Sequence, residues 1–430
     1  MTITTSIYDQ FKESFREKEQ EQQLDWLKNL RTKAFQQFEA DGFPTIKHED
    51  WRFTNTAPFL KEEYSLRPAN IPLHEHRNYA SIPELDAYGI VLKNGLLNED
   101  VNIPGLKVTP IRTALQDPAL ETYLAKATPL IKNGFAALNT ALFETGIVIE
   151  AEKNAAIDKP VHITHVYNAE EPFFAQPRIL VIMHPGSKLE LIESYFVKGD
   201  RQLFINTVVE IYVAPNARLD HYDLQVGPVN THLVNFTQVE QAGDSLYNNH
   251  TYTLPGFTLA RNNLHLNLNG TNTESHLYGL YLTGGSQLVD NHSLVNHKMP
   301  NCMSNELYKG VLMDSSRGVF NGKIFVQQDA QKTNAFQQNN NMLLSDKAII
   351  DTKPQLEIFA DDVKCSHGST IGSFNNEALF YLKTRGIGEV AARNLLVNAF
   401  AFDVTNKAEI PAVRNHIDKL ITKKMAEAYD

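Results

Sequence analysis

Cysteine is nearly absent from this chain of 430 residues, which holds two, Cys302 and Cys365. So few thiols exclude a secreted disulfide scaffold and suit a reducing compartment, where both are expected to stay free. Basic side chains are in the minority, 40 against 50 acidic for a net charge of −10, and no Lys/Arg-rich block occurs. That balance excludes the electrostatic footprint of a nucleic-acid binder. No stretch approaches the roughly 18 uncharged apolar residues of a membrane helix, and the opening MTITTSIYDQFKESFREKEQ lacks a signal peptide's apolar centre. A soluble, cytoplasmic protein with no membrane partner is expected. The phosphate loop GxxxxGK(S/T), the dinucleotide GxGxxG, HExxH and GxSxG are missing as well, so the chain is not expected to hydrolyse nucleotides or to be an enzyme.

What is present is globular, with 42% hydrophobic and 21% charged residues, over a length that suggests about two or three domains. Residues 5–40 carry two helical stripes, Ile7, Phe11 and Phe15, then Leu27, Leu30, Ala34 and Phe38. Gly42 and Pro44 punctuate the end, since glycine accepts a left-handed cap and proline cannot continue a helix. Shorter helices are expected within 111–145, in LETYLAKATPLI and FAALNTALF. From residue 146 the period changes to two for about 220 residues. In RNNLHLNLNG, Leu264, Leu266 and Leu268 share one strand face while Asn263, His265 and Asn267 share the other. No helical pattern interrupts this run, which excludes doubly wound folds and leaves sandwiches, barrels, propellers or a solenoid. Length favours a parallel β-helix, whose coils can be added one upon another, and the Asn-rich segments from 248 to 341 suit ladders of stacked amides. After residue 374 helical stripes return: Ala378, Leu379 and Leu382; Val390, Leu395 and Phe402; Ile410, Val413, Ile417, Leu420 and Ile421. They can pack on each other, cap the solenoid or dock a partner. The chain thus divides into an N-terminal helical region with short strands (1–140), a β-helix core (141–374) and a C-terminal helical domain (375–430).

Two sets of side chains invite a metal reading. His250, His265, His276, His292 and His297 cluster in sequence, but the spacing of His292 and His297 places them on opposite faces of a straight strand, and no carboxylate follows at ligand spacing. They read as surface or solenoid-turn histidines. FADDVKCSHGSTIG differs, because Cys365 and His367, at i and i+2, share one face of an extended chain with Asp361 and Val363. Thiolate and imidazole are ligands that iron, zinc and iron–sulfur clusters select. Two donors do not close a site, so the others must come from Cys302, from water or from a second subunit. A Cys/His nucleophile pair and a merely structural cysteine beside a surface histidine are the competing readings.

KPQLEIFADDVKCSHGSTIG followed by ALFYLKTRGIGEVAARNLLVNAFAF resembles the C-terminal signature of the SufB/SufD family, which serves the SUF pathway of iron–sulfur cluster assembly. GFPTIKHEDWRFTN resembles its N-terminal signature, and the sequence around Lys364, Cys365, Ser366 and His367 is similar to the SufD form. The resemblance implies a right-handed parallel β-helix core flanked by N-terminal and C-terminal helical domains, in a noncatalytic scaffold subunit. It implies a SufB partner joined through the β-helix end, with the position of His367 facing a cysteine of that partner, Cys365 close by, and a nascent, transient iron–sulfur cluster forming between them. It also implies that the C-terminal helices receive SufC, the ATPase of the complex, whose dimerisation would open the junction. Flavin involvement is left open. A β-helix end that pairs with a homologue could also pair with a second copy in a homodimer. A carbohydrate-active β-helix enzyme would need a secretion signal and an acidic cluster, neither of which is seen. A simple metal-binding or storage protein is the third reading.

Overall fold

A computed structural model describes residues 7–67, 82–126 and 133–429. Part of the expected helix over LETYLAKATPLI, and the start of the one expected over 5–40, lie outside the described residues.

Seven α-helices occur among the described residues: α1 (Ile7–Glu19), α2 (Asp25–Asp41), α3 (Ile111–Ala114), α4 (Gly134–Leu142), α5 (Asn376–Thr384), α6 (Glu389–Thr405) and α7 (Pro411–Tyr429). Gly42 ends α2 as expected, with φ +63° and its N–H donated to the Phe38 carbonyl at 2.8 Å. Among the described residues of 111–145, α3, a 3₁₀ turn at Pro118–Thr122 and α4 are helical.

Between α4 and α5 the chain winds as a parallel β-solenoid of about eight coils. Successive strands alternate between two ten-stranded sheets. In-register neighbours on adjacent coils lie from 27 (His232 and Leu259) to 32 (Arg317 and Ile349) residues apart. Aliphatic and tyrosine side chains pointing inward from both sheets fill the rod. Asparagine serves this winding twice. Asn154, Asn216, Asn230, Asn272 and Asn301 take positive φ at the corners, a conformation asparagine tolerates better than most residues. Elsewhere amides stack, Asn262 Nδ2 donating to Asn291 Oδ1 and Asn296 Nδ2 to Asn267 Oδ1, each at 3.0 Å.

Each sheet also buries its outer face. Phe11, Phe15, Phe35, Phe38 and Phe43 of the N-terminal region meet Phe135 of α4 and cover Phe174, Phe204 and Val234 of the second sheet. Helices α5–α7 lie along the flank of the first sheet, where Ala392, Val397, Ala401, Ile417 and Ile421 pack on Tyr222, Leu224, Tyr252, Leu280 and Val311. Lys309 fastens them. Its buried ammonium donates to the Phe400 carbonyl at 2.8 Å and to Asp403 at 2.5 Å. Because Asp403 is exposed, the carbonyl bond is the stabilising one, and Lys309→Met, which keeps the apolar stem, should cost about 2 kcal/mol. Urea denaturation followed by circular dichroism measures that loss.

The helices therefore do not cap the rod. At its start, antiparallel strands Leu96–Leu97 and Leu106–Pro110 close the sheets. At its end, strands Ile349–Ile358 and Lys364–Ser373 pair on one side only, and no described strand covers their outer edges.

The open end of the solenoid as candidate functional site

Lys364–Ser373 is the last strand of the first sheet, paired in parallel with Asn334–Leu343 so that Cys365 lies beside Ala335 and His367 beside Gln337. Ala335 and Gln337 are buried, so the alternation of the strand aims Cys365 and His367 toward the rod's axis. No further coil covers them. Cys365 is half-buried against Ile324, Val326, Ala335 and Ala360, and His367 is exposed at the rim. Asp361 does not share their face, because the strand begins at Lys364 and Asp361 belongs to the turn before it. Burial pushes the Cys365 thiol above its ordinary pKa, against a smaller downward pull from the Ala335 backbone. Its thiolate therefore forms readily only when a cation arrives to stabilise the charge.

Cys302 does not complete the set. Its carbonyl accepts from Asn334 N at 3.0 Å, whereas Lys364 N reaches Thr333 O in the next coil at 2.8 Å, so Cys302 lies two coils, roughly 10 Å, below the pair. It is buried, and its thiol faces the Gly270 carbonyl at 3.2 Å. The histidine cluster disperses. His250 and His297 are not surface groups: His250 is buried in a stack with Tyr222 at 4.3 Å, and His297 sits inside the rod with Nε2 at 2.9 Å from Ser304 Oγ. His276 faces Glu274 at 2.7 Å on the surface, while His265 and His292 line a cleft between the N-terminal region and the second sheet. Among the described residues no group of three or more His, Cys, Asp or Glu side chains could hold a metal ion.

The strand pattern of the sequence did not reveal what lies beneath His367. Gln337 Nε2 donates to Glu306 Oε2 at 2.6 Å, one coil further in. Burial pushes the Glu306 carboxyl up to about 7. Gly322 of the opposite sheet makes room, for a Cβ there would fall 2.3 Å from Gln337 Nε2. Across the mouth, Thr352 Oγ1 and Ser369 Oγ join the two sheets at 3.0 Å. The rim also exposes apolar side chains. Ile371 is 53%, Phe359 59% and Ile358 39% exposed.

The two His/Cys donors singled out in the sequence thus stand together at the uncapped end of a parallel β-solenoid. The SufBD core domain of SUF-system iron–sulfur cluster assembly matches residues 165–400, and the SufBD N-terminal region matches residues 1–163. The SufD protein of Escherichia coli is 30% identical over 86% of this chain and 86% of its own length. An iron–sulfur cluster assembly SufBD family protein of Synechocystis is 29% identical over 88% of this chain and 87% of its own, and SufD of Bacillus subtilis is 26% identical over 99% and 100%. The chain belongs to the SufB/SufD family and is SufD-like. No helix among the described residues is long and apolar enough to cross a membrane.

Proposed function

We propose that this chain is a noncatalytic, cytoplasmic subunit of a SUF iron–sulfur cluster scaffold, whose terminal coil pairs with that of a SufB-type chain and shares with it a transient cluster site. The observation that carries the reading is the open end. Two parallel strands present unpaired backbone edges, which soluble proteins ordinarily blunt or cover, and they do so where His367 and Cys365 sit. A homologous solenoid would continue the sheets and bury Ile358, Phe359 and Ile371. His367 then offers a neutral imidazole lone pair to iron, and Cys365 gives up its proton as the metal binds. Flanking the rod, α5 and α6 expose Phe380, Tyr381, Leu395 and Phe402. This apolar surface suits a SufC-type ATPase, and Lys309 ties the helix beneath it to the first sheet, a link through which docking could act on the junction. The 375–430 domain is thus the ATPase-docking unit and the 141–374 rod the scaffold.

His367→Ala tests the reading. The ring lies at the rim outside the packed core, so the variant should fold, join its partners and yet lose cluster assembly, read as acid-labile sulfide and the visible iron–sulfur chromophore of the purified complex. Wild-type cluster content would remove His367 from the site. Tight, stoichiometric iron binding by the chain alone would favour storage instead.

A further inference from the structure

The inference concerns what holds His367, and it rests on the reading that this imidazole ligates iron. Gln337 is 3% exposed, yet its Oε1 is buried without a hydrogen-bond partner. Leaving such an acceptor unmet costs about 1–3 kcal/mol, so a donor is required. Nε2 is already committed to Glu306 Oε2, and the ionised carboxylate, which only accepts, fixes the amide against flipping. The neighbours of Gln337 leave few donors. On its own strand Ala335 has none, and the Asn339 amide points at Tyr281 Oη (3.2 Å) and the Tyr308 carbonyl (3.4 Å). In the opposite sheet the facing residue is Gly322, whose register partners are Pro354, without a side-chain donor, and Ser293, whose hydroxyl lies one coil further in against Glu306. Cys365 sits one inward position off register, against the Ala335 backbone. The in-register neighbour is His367, about 4.8 Å away across the sheet.

We infer that Gln337 is the positioning residue of the site: its Oε1 accepts one ring N–H of His367, while Glu306, holding the other end of the amide, keeps that oxygen turned toward the rim. A neutral imidazole so held has one tautomer, and its second nitrogen presents a lone pair outward, where a metal would come. The column Glu306, Gln337, His367 thus does for a transient ligand what a second layer of hydrogen bonds does at a resident metal site. The narrow passage at Gly322 fits this role, since any side chain there would push the amide out of line.

The test reads the ring directly. In the full chain labelled with ¹⁵N-histidine, long-range ¹H–¹⁵N correlations at pH 8 should show His367 as a single neutral tautomer. Gln337→Leu, similar in size but without an acceptor, should give the mixed tautomers of a free surface histidine. In the complex, Gln337→Leu should lower the rate of cluster assembly about 10-fold or more. A His367 signature unchanged between wild type and a folded Gln337→Leu chain overturns the inference; should that variant not fold, a mixed tautomer in the wild type overturns it equally. Failure of the broader reading looks different: the tautomer shifts as expected, but neither Gln337→Leu nor His367→Ala changes assembly.

Discussion

Lysine at both Ile358 and Ile371 is expected to weaken pairing at the open end by 100-fold or more while leaving the free chain folded. The two side chains are 39% and 53% exposed, so substitution forfeits little burial in the monomer. Their positions nevertheless belong to the inward rows of the rod. Ile358 follows Val326 and Ile371 follows Asn341 in register, and both of those are buried by the coil above them. A docking coil would do the same to the isoleucines. Lysines there must either lose hydration without a counter-charge or hold the two chains apart, and the first alternative costs several kcal/mol per buried charge. Each 1.4 kcal/mol is about tenfold in affinity, so 100-fold is a modest expectation for two. Natural edge strands use inward lysines for this very purpose. Calorimetric titration with a SufB-type chain measures the loss, and thermal unfolding of the variant alone checks the fold. Undiminished affinity would mean that the partner binds elsewhere and that Cys365 and His367 are not at the junction. Sedimentation of the unpartnered chain adds a second reading, because a homodimer through the same edge should dissociate in the same variant.

The rod and the rim were legible in the sequence for different reasons. Alternation in segments such as RNNLHLNLNG survives because each inward row must be buried, and Cys365 and His367 share a face because the side-chain period of a strand is two. The flanks were harder. Outward positions of the first sheet, among them Tyr222, Tyr252 and His250, read as an ordinary half-polar strand face, but they are buried under α5–α7. The same pattern that suggested surface histidines therefore concealed a second core, and with it the reason the rod is left uncapped. Gln337 was illegible for another reason. Coils of 27 to 32 residues break any fixed repeat, so the sequence alone does not say which side chain of one coil lies under His367 in the next. Amides inside QQNNN looked like a ladder. One of them, placed by register, belongs to the site.

Those buried histidines make acid the condition to which the fold is most sensitive: between pH 7 and pH 5 the chain should lose about 6 kcal/mol of stability. Burial lowers His162, His232, His265 and His297 from 6.5 to about 4 and His250 to about 3. A group whose folded pKa is depressed contributes stability that is present above its unfolded pKa and is lost as pH falls through the folded one. At about 1.4 kcal/mol per pH unit and proton, each histidine forfeits about 2 kcal/mol by pH 5, because the unfolded chain takes up a proton that the folded chain refuses. Two carboxyls inside the rod act in the opposite sense. Burial raises Glu306 from 4.5 and Asp223 from 3.8, each to about 7, with the nearby Glu193 charge adding to the rise at Asp223. Their stability is present below the unfolded values and lost as pH rises through 7, so acidification from pH 7 to pH 5 returns about 2 kcal/mol from each. Glu193 does not titrate in this window: its pKa is lowered to about 2, the hydrogen bonds of His165 and His221 at 2.7 and 2.8 Å outweighing its burial. The five histidines therefore win over the two acids, the optimum falls near neutrality, and a loss of this size is a large share of the 5–15 kcal/mol that holds a typical domain together. Urea midpoints measured from pH 5 to pH 8 read the slope. His250→Phe, which keeps a ring between Tyr222 and Tyr278, should flatten the acid side by about one proton's worth. A stability that stays level from pH 7 to pH 5, in either chain, would mean that water reaches these imidazoles, including His162 and His250 on the outer face of the first sheet beneath the C-terminal helices.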